Sequence, residues 1–214
     1  MVKLYVEGGG DSSHLRTACR QGFTEFLRAA GLDGHMPRIV ACGGRQQAYE
    51  DYCTAITNGE EAFLLVDSEA PVAPTAQPGN ANDEIERGKW LPWSHLKTRD
   101  NWEKPSNAEE YHCHLMVQCM ETWFLANRDT LKSFFGQGFK DNQLPATTNS
   151  VESVGKKQVY DALEKATCDC KTKAQYGKGE HSFKLLALID PVKVTATSPW
   201  AKRFTDALKK KMGA

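Results

Sequence analysis

Val2–Val6 (VKLYV) is a short β-prone apolar run that stops at Glu-Gly-Gly-Gly-Asp, the pattern of a buried strand running into a loop. Ser12 or Ser13 can cap the helix that follows. In that helix Leu15, Ala18, Cys19, Phe23, Phe26, Leu27 and Ala30 recur at helical spacing, and Gly31 supplies a stop. Arg38–Ala41 (RIVA) reads as a second strand, ended by Cys42-Gly43-Gly44. Arg45–Ile56 reads as a second helix that buries Ala48, Tyr49, Tyr52, Ala55 and Ile56. Ala62–Val66 (AFLLV) is a third strand, and it runs into Asp67-Ser68-Glu69. This alternation predicts an α/β fold with a mostly parallel sheet, covering helices and right-handed crossovers.

Residues 70–110 break the rhythm with Pro71, Pro74, Pro78, Pro92 and Pro105 and with Trp90, Trp93 and Trp102. Tryptophans argue against plain disorder, so an ordered flap is expected beside the strand ends, with a mobile tip around Ala73–Glu84. His114–Gln118 (HLMVQ) looks like a fourth strand. Helices are expected at Met120–Ala126, at Asp129–Phe135 and over Val151–Ala166, the last with Lys156 as an alternative start. Lys171–Glu180 reads as a Lys/Gly loop, Ser182–Ile189 as a short apolar helix, and Pro199 as the start of a final helix ending in three lysines. The expected organisation is one domain over 1–214. Residues 1–69 and 111–127 supply the sheet core, 70–110 the insertion and 128–214 a helical C-terminal portion.

Composition changes this picture little. An apolar fraction of 40% suffices for a core, and no stretch approaches the ~20 apolar residues of a membrane span. The first residues lack the apolar run of a signal peptide, so a cytoplasmic chain is expected, with its seven cysteines as reduced thiols. Net charge is zero but uneven. Residues 1–110 carry 11 Lys and Arg against 17 Asp and Glu, leaving the second part with the excess of positive charge. An acidic half suits metal ions and a basic half a polyanion, although each is also compatible with an ordinary solvated surface.

The strongest chemical signal is positional. Glu7 directly follows the first predicted strand, and Asp67 and Glu69 follow the third. In open parallel sheets ligands sit at the carboxyl ends of strands. Residues i and i+2 of an extended segment point the same way, so Asp67 and Glu69 are expected to aim at one point that Glu7 joins. Three converging carboxylates repel one another unless a cation lies between them, and hard oxygen ligands suit Mg²⁺ or Mn²⁺. VEGGGDSS is neither GxxxxGK[ST] nor GxGxxG, so its glycines are read as allowing close backbone approach. His112, Cys113, His114 and Cys119 lack the paired spacing of a zinc site, and Cys168 and Cys170 do not complete one. His112 and His114 alternate, which places one of them in the core or on the site rim. Glu121, at the head of an apolar segment, is either a helix-capping acid or a further ligand. Lys178, His181 and Lys184 in GKGEHSFK suit a phosphate or a solvated helix entry.

VEGGGD followed by LLVDSE resembles the two signatures of Toprim domains, found in topoisomerases, bacterial primases and overcoming-lysogenization-defect nucleases. Glu7, Gly8 and Asp11 match the first signature, EGxxD. Asp67-Ser68-Glu69 is a DxE variant of the second, DxD. YVEGGGD, CGGR, LLVDSE, RDNWEKP, HLMVQCMETWFLA, KGEHSFKLLALIDP and SPWAKRF together resemble the bacterial Toprim-like family catalogued as domain-of-unknown-function family 4276. The resemblance implies a Toprim-like (Rossmann-like) fold. It also implies Glu7 as general acid/base or metal ligand, and Asp67 and Glu69 as Mg²⁺ ligands. The activity it implies is metal-dependent hydrolysis of DNA or RNA phosphodiesters, in a phage-defence effector working with an ATPase of the ABC or AAA type. A non-catalytic subunit that binds such an ATPase or a nucleic acid is the alternative, and self-association is left open. Zero net charge weakens nucleic-acid binding by this chain alone.

Overall fold

Four strands, β1 (Lys3–Gly9), β2 (Arg38–Gly43), β3 (Ala62–Asp67) and β4 (Cys113–Met116), form one parallel sheet in the order β2-β1-β3-β4. The computed structural model describes residues 1–146 and 150–214. Period-two alternation divides the core. Leu4, Val6, Phe63 and Leu65 share one side with Cys19, Phe23, Phe26 and Leu27 of helix α1 (Ser13–Leu27). Tyr5, Leu64 and Val66 share the other with Ala48, Tyr52, Ala55 and Ile56 of α2 (Arg45–Thr57). Burial on both faces explains why the strands read as continuous apolar runs. The α/β architecture is thus the one the pattern predicts, with every described strand parallel, and it is Rossmann-like, as the resemblance implies.

Residues 70–110 are a wall of the core more than a flap. They contribute α3 (Glu84–Gly88) and α4 (Pro92–Asp100), and Trp90, Trp93 and Trp102 are all buried on the α2 side. Each indole N–H finds an acceptor: Pro78 O at 3.0 Å, Glu109 O at 3.2 Å and Gln46 Oε1 at 2.9 Å respectively. Beyond β4 come α5 (Arg128–Phe135), α6 (Lys156–Thr167), α7 (Lys178–Leu186), α8 (Pro191–Thr197) and α9 (Pro199–Met212). The helix expected over Met120–Ala126 is a 3-10 segment, and Met120–Leu125 are all buried, so it has no solvent face of the kind an amphipathic helix needs. The fourth strand is Cys113–Met116, because its partner β3 ends at Asp67, opposite Met116. The loop expected through Glu180 gives way at Gly177, which caps α7 from Lys178.

Helix α9 serves both core halves, with Trp200 on one side and Ala201, Phe204 and Leu208 on the other. Its N-terminus is held by Ser198, the N-cap, and by Glu152, whose Oε1 accepts from Ser198 Oγ at 2.6 Å and from Trp200 N at 2.9 Å. Burial pushes the Glu152 carboxyl up to about 7, against the pull of these two hydrogen bonds. A carboxyl raised on folding contributes stability that is present below its unfolded value and lost as pH rises through the folded one. Melting temperature is therefore expected to fall as pH rises from about 4.5 to about 7, and Glu152→Gln is expected to flatten that slope. Superimposable pH profiles for the two proteins in differential scanning calorimetry would contradict this.

Candidate metal centre

The sheet reverses direction between β1 and β3: the chain leaves β1 for β2 on one side and then crosses back to β3 on the other. A reversal of this kind opens a crevice at the carboxyl ends of the two strands. Glu7 lies within β1, just past the Val6–Leu65 pair, and Asp67 is the last residue of β3. By alternation Glu7 leaves the sheet on the Tyr5 side and Asp67 on the Leu65 side. They lean together over the strand ends, where the Asp67 amide donates to Glu7 Oε2 at 3.1 Å. Glu69 arrives by a different route from the extended one that spacing predicts. Its φ of 64° is left-handed, a conformation that costs a non-glycine residue about 1–2 kcal/mol. Its amide is held by Gln118 O at 2.8 Å. The result is still convergence: Glu7, Asp67 and Glu69 each offer an oxygen within 4.8 Å of the others. Oxygens so spaced fit the ~2.0–2.6 Å bonds of a hard divalent cation lying between them.

Burial raises the stakes. Asp67 is 2% exposed, and its Oδ1 accepts from Met120 N at 2.8 Å. Burial, then the negative charges of Glu7 and Glu121, push its carboxyl well above the usual range. Burial also raises Glu7, although the Asp67 amide and Arg45 oppose the shift. Both effects favour an added cation.

Three basic side chains close around the acids, each from the first turn of a helix. Arg45 opens α2 after Gly44; its Nε donates to Asp67 O at 2.8 Å and lies 3.8 Å from Glu7 Oε2. The same guanidinium pairs with Asp100 Oδ1 at 2.6 Å and lies over the Trp102 ring at 4.4 Å. Lys156 opens α6 after Gly155; its Nζ bonds Glu69 Oε1 and lies 3.6 Å from Asp67 Oδ2. Lys178 opens α7 after Gly177, with Nζ 4.0 Å from Glu121 Oε1. None of the three glycines offers a side-chain cap. A cation in the first turn opposes the helix macrodipole, so the carboxylates, not the helices, account for these placements. Arg99 lies 3.9 Å from Glu69 Oε2, and His95 Nε2 contacts Ser68 O at 2.9 Å, which ties α4 to the site.

Glu121 is no cap. It is fully buried, and its carboxylate accepts from Tyr160 Oη and Ser182 Oγ, both at 2.9 Å. With Glu7, Asp67, Lys178, Gly179 and the Gly8-Gly9-Gly10 run it lines a cleft of about 360 Å³. A larger groove of about 620 Å³, between α3 and α9, contains none of these residues. Gly9 has φ 90°, and a Cβ there would lie 2.7 Å from Arg16 Cα, so the glycine run lets β1 press against the first turn of α1. The remaining candidates stay apart. Asp11 is exposed and outside the acidic trio. His181 is 2% exposed among Phe134, Phe135 and Tyr176, and its Nδ1 accepts from Gly177 N. Lys184 is exposed and does not line the cleft. His114 belongs to the core, fully buried against Phe63 and Phe204. Arg45, Lys156, Arg99 and Tyr160 were not anticipated. The signal that finds two of them is the repeated glycine–cation step at helix starts, Gly44-Arg45 and Gly155-Lys156, which Gly177-Lys178 repeats.

Among the described residues no helix is long and apolar enough to cross a membrane. A comparison with curated proteins finds no match, and neither does one with solved structures. The family model described as Domain of unknown function (DUF4276) matches residues 6–209, a span that holds the whole acidic trio and its basic partners, and the chain belongs to that family.

Proposed function

We propose that this protein is a metal-dependent phosphodiester hydrolase of Toprim type, acting on DNA or RNA and serving as effector beside an ATPase partner in defence against phage. The observation that carries the reading is the convergence of Glu7, Asp67 and Glu69 at the switch point, ringed by Arg45, Lys156 and Lys178. Carboxylates to hold a divalent cation beside cations to hold an anion are the pairing that phosphoryl chemistry needs. Glu7, Asp67 and Glu69 would hold Mg²⁺ or Mn²⁺, which supplies Lewis-acid charge and water activation when bound. Glu7, its carboxyl raised by burial, is poised to take the proton of an attacking water. Lys178 faces the cleft where a phosphate would lie. Buried Glu121, clamped by Tyr160 and Ser182, is the fixed charge beside that lysine.

A second reading, a binding subunit with an inherited acidic shell, draws support from the fact that Glu7, Asp67 and Glu69 each have a basic neighbour within 4 Å. A cleavage assay on plasmid, single-stranded DNA and RNA, with Mg²⁺, Mn²⁺ or chelator and with and without the product of a neighbouring ATPase gene, separates the two. Metal-dependent cleavage supports the hydrolase. No cleavage under any condition, with retained nucleic-acid or ATPase binding, supports the subunit.

A further inference from the structure

Lys156 pairs with two of the three carboxylates to which the reading above assigns a cation. Its ammonium donates to Glu69 Oε1 and lies 3.6 Å from Asp67 Oδ2, so it bridges two of the three carboxylates. Its side chain is 24% exposed, which leaves an open way to solvent. Its backbone amide donates to Gln118 Oε1 at 3.3 Å, and Gln118 O in turn holds the Glu69 amide, so the start of α6 is fixed to the segment that shapes the site. Burial opposes the charge on Lys156, but the Glu69 hydrogen bond and the charges of Asp67 and Glu69 outweigh it.

We propose that Lys156 is the built-in counter-ion of the metal-free site, that a divalent cation must displace it from Asp67 and Glu69, and that it thereby sets the metal concentration at which the site fills. The inference rests on the metal reading above. A cation bonded at ~2.0–2.6 Å to these carboxylates competes with the ammonium for the same charge, and the two positive charges repel at such range. Lysine suits the exchange, because its flexible four-carbon stem can release a carboxylate without moving the helix. Apparent metal affinity is then the intrinsic affinity reduced by the fraction of molecules in which Lys156 has swung away. Arg45 does not take part in the exchange, since its Nε is committed to Asp67 O and its NH1 to Asp100.

The test is a Mn²⁺ titration by calorimetry on the full chain at fixed salt. The proteins compared are wild type, Lys156→Met, Lys156→Arg and, as a net-charge control, Lys157→Met, whose lysine is exposed and pairs with Asp161. Lys156→Met is expected to bind Mn²⁺ about tenfold tighter than wild type. Lys157→Met is expected to bind like wild type, and Lys156→Arg no tighter. In chelator Lys156→Met is expected to melt below wild type, because the repulsion between Asp67 and Glu69 is no longer relieved, and saturating Mn²⁺ is expected to raise its melting temperature by more. Equal or weaker Mn²⁺ binding by Lys156→Met overturns the proposal and leaves the metal site standing. Absence of Mn²⁺ binding in all four proteins overturns both. Should Lys156→Met fail to fold, the wild type decides: its Lys156 side-chain NMR signals shift on Mg²⁺ saturation if the ammonium is displaced, and unmoved signals overturn the proposal.

Discussion

On the hydrolase reading proposed above, Glu7→Gln is expected to lower the rate of phosphodiester cleavage by on the order of 10²–10⁴-fold while leaving the fold intact. The substitution keeps the shape of the side chain and an oxygen that can still accept from the Asp67 amide. It removes the charge and the ability to take a proton. Because burial already disfavours the Glu7 carboxylate, the neutral amide is expected to melt in chelator at or above the wild-type temperature. Asp67→Asn is expected to lose activity as well and to weaken Mn²⁺ binding, although its side-chain oxygen can still accept from Met120 N. Glu69→Gln is expected to be milder, since Glu69 is the more exposed of the ligands and already shared with Lys156 and Arg99. Full cleavage by both Glu7→Gln and Asp67→Asn would sink the hydrolase reading and leave the binding subunit.

Arg203→Met is expected to produce the largest loss of stability. Arg203 is 4% exposed on α9 and donates to four acceptors: Arg87 O at 3.0 Å, Cys113 O at 2.8 Å, Glu110 O at 2.8 Å and His114 Nδ1 at 3.0 Å. The last contact requires a neutral imidazole, and burial together with Arg203 itself pushes His114 well below the ordinary histidine range. Methionine fills much of the volume and satisfies none of the acceptors, so a cost of about 3–5 kcal/mol is expected. For a domain of this size that is a fall of roughly 10 °C in melting temperature. A shift of about 2 °C or less would show that water replaces the guanidinium at low cost.

Both outcomes depend on features that differ in how openly the sequence displays them. Three apolar strands and the acids at their ends are local, and local pattern reports them. Glu7, Asp67 and Glu69 were therefore legible, even though Glu69 reaches its place through a left-handed backbone instead of a continued strand. Glu121 was legible as an unusual acid but not in its role, because Tyr160 and Ser182 lie 39 and 61 residues away. Lys156 looked like an ordinary helix start, and only the packing of α6 against the Gln118 segment aims it at the carboxylates. Periodicity misled where burial is complete: the Met120–Ala126 segment is apolar on every side, and all-round burial erases the contrast that separates an α-helix from a tighter one. The glycines and lysines of 171–180 suggest a loop that runs through Glu180, yet the helix expected from Ser182 already begins at Lys178 after Gly177, which turns His181 into the core and Lys184 to solvent.

The double allegiance of α9 has a consequence for the order in which this chain can become a working protein. The acids at positions 7, 67 and 69 lie far before α9 in the chain, but β4, against whose end Asp67 and Glu69 are fixed, is clasped by Arg203, and both halves of the core take side chains from residues 200–208. Contacts that span so much of the chain are slow to form. A chain that stops short of Pro199 leaves two apolar surfaces and the β4 edge uncovered, so the acidic crevice is expected to become rigid only once α9 has docked. A chain truncated within α9 is expected to be lost to proteolysis before it can bind metal.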